Sequence, residues 1–120
     1  MGTSAERVFG IIVAAGSGER LGASVPKALV PVAGRTILAR AITRLLGGTT
    51  RFDELVVTFP SGYRKEFEDV LRESDLRCRL VEGGETRQAS VRRALEYVTD
   101  SCNPAPIDRI LIHDAARCFV

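Results

Sequence analysis

The chain has 120 residues, 45% of them hydrophobic, and its 17 basic and 15 acidic side chains leave a formal charge of +2. That length fits one ordinary domain with a real core, burying roughly two-thirds of the area the unfolded chain exposes. The charge is too small for bulk nucleic-acid binding, no apolar run approaches the roughly 18 residues of a membrane span, and MGTSAER lacks a signal peptide's apolar core. A cytoplasmic protein acting on small molecules is therefore expected, without nucleic acid or membrane as partner. Cys78, Cys102 and Cys118 are odd in number and lack CxxC spacing, so they read as incidental thiols, not as a disulfide framework or zinc site.

In chain order, the first element is the run Gly10 to Ala14 (GIIVA), a strand buried on both faces. The turn-rich stretch AAGSGERLGASVPKAL follows. Ile37, Leu38, Ala41, Ile42 and Leu45 then keep a 3.6-residue stripe, with Thr36 as candidate N-cap and Gly47 as stop. A second strand spans Glu54 to Phe59, a helix carries Phe67, Val70 and Leu71, and a third strand spans Cys78 to Glu82. After the polar GGETRQAS, a helix carries Val91, Ala94, Leu95 and Val98, capped by Glu85, Thr86 or Ser90, and a fourth strand spans Arg109 to His113. Strands alternating with helices predict one α/β domain over residues 1–120, Rossmann-like and three-layered, with a mainly parallel sheet of strand order 3-2-1-4. Strands one and four then flank the switch point, where open α/β sheets bind ligands beyond the strands' carboxyl ends.

Two segments converge there, the loop from Ala14 and the stretch HDAAR from His113 to Arg117. Gly16 and Gly18 let backbone amides form an anion nest, Arg20 adds a forked donor set, and Lys27 adds a mobile point charge. The combination suits a polyphosphate. It is not a dinucleotide fingerprint, because GxGxxG needs glycine where Leu21 stands, nor a P-loop, because no GK[ST] occurs.

The stretch AAGSGERLGASVPKAL resembles the signature of nucleotidyltransferases that activate sugar or polyol phosphates. Together with GGETRQAS (Gly83 to Ser90) and HDAARCF, it is similar to the 2-C-methyl-D-erythritol 4-phosphate cytidylyltransferase family, from about Phe9 to Val120. The resemblance implies attack of a polyol phosphate oxygen on the α-phosphorus of CTP, giving a CDP-polyol and pyrophosphate in isoprenoid precursor synthesis. The nucleophile, with a second pKa of about 6, is already largely dianionic at neutral pH and needs no general base. What remains to be overcome is anion repulsion, so positioned cations and Mg²⁺ carry the catalysis.

On that resemblance Arg20 and Lys27 are the catalytic cations, and Asp114, following the fourth strand, holds Mg²⁺ against the phosphates. Ala14, Ala15, Gly16, Gly18, Gly83, Gly84, Glu85, Arg87, Ser90 and Ala115 form the CTP site, and Arg117 grips the incoming polyol phosphate. Gly83 to Ser90 take the cytosine and ribose, with the Ser90 hydroxyl available to a base edge. His113 is read as hydrogen-bonded structure, since the reaction removes no proton. Three features depart from the family pattern: Glu85 where aspartate is frequent, Cys118 where proline is usual, and an end at Val120 where relatives continue into a dimerisation arm. The sequence thus reads as a truncated nucleotide-binding part of a homodimeric enzyme, expected to bind CTP but turn over little alone. Two other readings stay open: a ribitol 5-phosphate cytidylyltransferase, and a CTP-binding module without catalysis.

Overall fold

In the computed structural model, which describes residues 6–15 and 26–115, the run VFGIIV forms β1 (Val8–Val13) and every residue of it is buried. Strand β1 lies between β4 (Glu54–Phe59) and β6 (Arg109–Asp114), and β4 pairs in turn with β5 (Arg79–Glu82). All three pairings are parallel, giving the order β5-β4-β1-β6. This is the expected 3-2-1-4 arrangement. The boundaries differ in detail. Strand β1 starts at Val8, because Val8 and Phe9 also pair with β6, and β6 runs on to Asp114, which pairs with Val13. Asp114 thus ends the strand instead of following it.

The connections explain where the helices sit. Helices α1 (Ile37–Leu46) and α2 (Arg64–Glu73) carry the chain from β1 to β4 and from β4 to β5 in one direction across the sheet. Helix α3 (Arg87–Tyr97) carries it back past both to β6. Right-handed crossovers running in opposite directions fall on opposite faces. One core accordingly packs Ile12, Leu55, Val57 and Phe59 against Leu38 and Ile42 of α1 and Phe67 and Leu71 of α2. The other packs Phe9, Ile11, Val13 and Val56 against Ala94 of α3 and Val98 of the π-helical turn that extends it (Val98–Cys102). The sheet is covered on both faces, which is why its central strands read as unbroken apolar runs.

Thr36 caps α1, its hydroxyl accepting from Ala39 N at 3.0 Å, and Gly47 ends the helix with its N–H on Thr43 O at 2.9 Å. One element was not expected: a hairpin of β2 (Pro31–Val32) and β3 (Arg35–Thr36), turning through Ala33 and Gly34 at φ 53° and 86°. Both central residues are left-handed, the pattern of a tight primed turn, and the alanine hides that signal because asparagine or glycine normally supplies it. Cys78 and Cys102 are free and partly buried, and burial pushes the Cys78 thiol up to about 12, leaving it unreactive.

Two polar contacts fix the ends of β1. At its carboxyl end Ala14 N donates to the hydroxyl of fully buried Thr58 at 3.1 Å. At its amino end Asp108, 2% exposed in its side chain, accepts from Arg7 N at 2.9 Å, Arg7 Nε at 3.0 Å and Ala105 N at 2.8 Å. Backbone N–H groups of Arg7 and Ala105, then the Arg7 side chain, hold the Asp108 carboxyl below the usual aspartate range. Thr58→Val removes the acceptor of a buried N–H and is expected to cost about 1–3 kcal/mol in urea denaturation. Because the Asp108 pKa is depressed on folding, its contribution is present above the ordinary aspartate value of about 4 and is lost as the pH falls through and below it. Asp108→Asn should therefore flatten the decline of the urea midpoint below about pH 4, and an unaltered acid limb would contradict this.

Candidate active site

A cavity of about 940 Å³ opens beyond the carboxyl ends of the strands, within the range of about 300–1,000 Å³ usual for small-molecule sites. Its floor is the end of β1. Ala14 and Ala15 line it, and the side chain of Ala14 belongs to the core beneath. Ala115, after β6, is 3% exposed and closes the floor on the other side. With only methyl groups at these three positions, a ligand meets main chain almost directly.

One wall is a single 3-10 turn, Lys27–Leu29, closed by Leu29 N on Pro26 O at 3.0 Å and Val30 N on Lys27 O at 3.1 Å. Ala28, 4% exposed, plugs the turn into the α1-side core, and Val30 O accepts from Ile37 N at 3.0 Å. Lys27 is thus an exposed cation whose backbone is tied down on both sides. The other residues expected to grip phosphate, Gly16, Gly18 and Arg20, lie outside the described residues, as do Arg117 and Cys118.

The opposite wall runs from Glu82 at the end of β5 to Arg87 at the start of α3. Gly83 N donates to Phe59 O at 2.8 Å, which draws the loop over β4. A Cβ on Gly83 would stand 2.4 Å from Ala15 Cβ and 2.6 Å from Ser90 Oγ, and one on Gly84 would stand 2.4 Å from Ala89 Cβ. Neither position has room for a side chain. Ser90, 1% exposed, accepts from Gly84 N at 3.1 Å, so its hydroxyl shapes this loop from below. Of the three capping candidates, Thr86 takes the role, accepting from Ala89 N at 3.0 Å. Glu85 is exposed at the rim.

The third wall is Asp114. Arg87 Nε and Nη2 donate to its Oδ1 and Oδ2 at 2.8 Å and 3.2 Å, and these bonds raise the Arg87 pKa further, so the guanidinium stays charged. Lys27, Gly83, Gly84, Glu85, Arg87, Ser90 and Asp114 therefore line one cavity, as their separate motifs implied. His113 faces a different depression, with Arg44, Thr49 and Thr50. The cavity also contains residues that sequence reading passed over. Pro60 and Ser61 follow β4, where the rule about strand carboxyl ends would have found them, and Arg93 lies one helical turn beyond Ser90.

The family model described as IspD: 2-C-methyl-D-erythritol 4-phosphate cytidylyltransferase matches residues 8–120. The chain belongs to this cytidylyltransferase family. It is 45% identical over 118 residues to the 2-C-methyl-D-erythritol 4-phosphate cytidylyltransferase of Deinococcus radiodurans, covering 98% of this chain and 43% of that one. To a bifunctional enzyme IspD/IspF of Clavibacter michiganensis it is 41% identical over 121 residues, covering 98% of this chain and 28% of the relative. A crystal structure of 4-diphosphocytidyl-2C-methyl-D-erythritol synthase superposes with a TM-score of 0.73 at 26% identity, over 97% of this chain and 49% of that one. The chain thus spans less than half the length of these cytidylyltransferases.

The tight loop makes its own prediction. Ser90→Ala leaves the half-buried Gly84 N–H without its acceptor and is expected to cost about 1 kcal/mol in stability. Gly83→Ala should lower the melting temperature further, because the atoms its Cβ would strike belong to the short side chains of Ala15 and buried Ser90, which cannot swing away. A Gly83→Ala protein melting like the original would show that the loop is looser than drawn.

Proposed function

We propose that this chain binds CTP in the cavity and that its cytidylyl group passes to 2-C-methyl-D-erythritol 4-phosphate, releasing pyrophosphate. The observation that carries this reading is the convergence of Lys27, the Gly83–Arg87 loop and Asp114 around one ligand-sized cavity in a member of the cytidylyltransferase family. The alanine floor and the side-chain-free Gly83 and Gly84 suit a flat base lying on main chain, with Glu85 at the rim in reach of the ribose. The triphosphate runs toward Lys27, and Gly16, Gly18 and Arg20 are assigned to it by the family resemblance. Arg117 meets the acceptor's phosphate.

The donor set suits a hard cation of one kind. Among the described residues no three His, Cys, Asp or Glu side chains gather as a metal cluster. A lone carboxylate such as Asp114 is enough for Mg²⁺ when substrate phosphates supply further oxygens, which is that ion's ordinary habit. When bound, Mg²⁺ supplies charge neutralisation at the phosphates. Lys27 does the rest of that work from the opposite wall. It lowers the repulsion between the two anionic substrates, and it stabilises charge on the pyrophosphate as the bond to the α-phosphorus breaks. No side chain needs to remove a proton, since the attacking phosphate is already ionised. Within this reading the protein is a cytoplasmic homodimer that uses small-molecule substrates, as the family resemblance implies. Among the described residues no helix is long and apolar enough to cross a membrane.

Calorimetric titration tests the binding half of the proposal. CTP with Mg²⁺ should bind in preference to UTP, ATP and NADH. Lys27→Ala, which loses a charge-assisted contact worth about 1.5–3 kcal/mol, should weaken CTP roughly tenfold to a hundredfold without lowering the melting temperature. Equal affinity for CTP and NADH would sink the assignment. For the transfer itself, the chain extended to the length of its relatives should form CDP-methylerythritol and pyrophosphate in equal amounts, and no product there refutes the reaction.

A further inference from the structure

The Lys27 turn runs straight into the β2–β3 hairpin, and the two form one unit. Val30 N donates to Lys27 O at 3.1 Å, Val30 O accepts from Ile37 N at 3.0 Å, and the ladder continues through the pairs Pro31–Thr36 and Val32–Arg35. Ala28 pegs the inner end of this unit into the core. Its outer end is weak by itself. Strands of two residues make a hairpin that is marginal alone, residues 31–35 are all exposed, and the turn holds Ala33 left-handed at φ 53°, which the alanine Cβ disfavours.

Arg40 secures that end. It sits in the first turn of α1 between buried Leu38, Ala39, Ala41 and Ile42, so its own backbone is fixed by the core. Its Nε donates to Val32 O at 2.8 Å and its Nη2 to Ala33 O at 3.1 Å. The planar fork thus takes two successive carbonyls of the strained turn, a geometry that a lysine ammonium does not match. From the other side, Arg35 Nη2 donates to Thr43 Oγ1 of α1 at 3.0 Å.

We propose that Arg40 is a positioning residue for Lys27, clamping the hairpin tip to α1 so that a ligand meets the lysine already in place. The proposal rests on the reading of Lys27 as the cation that meets the triphosphate, and extends it to the residue that places that cation. Lys27 and Ala28 line the cavity, whereas the Arg40 donors end on hairpin carbonyls. Without the clamp Lys27 keeps its charge but is spread over more positions, and the ligand must then supply the ordering itself.

Calorimetric titration with CTP and Mg²⁺ tests this through a double-mutant cycle of Arg40→Ala and Lys27→Ala. Arg40→Ala should weaken CTP about fivefold, the coupling expected of two positions joined through one stretch of backbone, with Arg40→Lys in between. In the Lys27→Ala background the same substitution should change the affinity by less than about twofold. An Arg40 that serves stability alone would weaken CTP equally in both backgrounds. That outcome, or undiminished binding by Arg40→Ala, overturns the proposal and leaves Lys27 in its role. Lys27→Ala that binds CTP as the original chain does removes that role, and the proposal with it. Hydrogen exchange gives a readout without ligand: in Arg40→Ala the Ile37 amide should exchange about threefold faster, while the Gly83 amide across the cavity should not. An Ile37 amide that exchanges at the original rate overturns the clamp.

Discussion

The position of everything in the cavity depends on where β1 stops. Buried on both faces and hydrogen-bonded on both edges, β1 has no freedom to slide, since a shift of one residue would exchange its two apolar faces between cores of different shape. The Thr58 hydroxyl then takes the Ala14 N–H at the point where the β1–β4 ladder ends. That single contact carries the ordered backbone one residue beyond the strand, and the methyl floor of the cavity begins there.

The Gly83–Gly84 loop is the second consequence of close packing. The loop's approach to Ala15 and Ala89 leaves no room for a Cβ, and the Ser90 hydroxyl satisfies an amide that would otherwise be stranded beneath it. A serine in this position reads on paper as a contact for a ligand. In the fold its hydroxyl is engaged with Gly84 N, which holds the glycine main chain at the cavity wall.

Much of the architecture was legible because the strands are doubly buried and the helices amphipathic, two patterns with distinct periods. Glu54–Phe59 and the Thr36 cap could be read directly. The hairpin at Ala33–Gly34 could not, because alanine conceals a left-handed turn, and the extra pairing of Val8, Phe9 and Asp114 depends on neighbours distant in sequence. In the site, residue types at motif spacing pointed to Lys27, the glycine loop and Asp114. The Arg87–Asp114 pair was out of reach, since its members stand 27 residues apart on elements that meet only once the crossover direction reverses.

The sheet divides the interior into two apolar clusters, and the cavity's walls are drawn from different ones. The Lys27 turn is pegged through Ala28 into the layer with α1 and α2, whereas the loop that ends in Arg87 leads into α3 on the far layer. A molecule spanning the gap is therefore a rivet between two separately packed slabs. Whatever free energy it gains on docking adds to the stability of the folded chain.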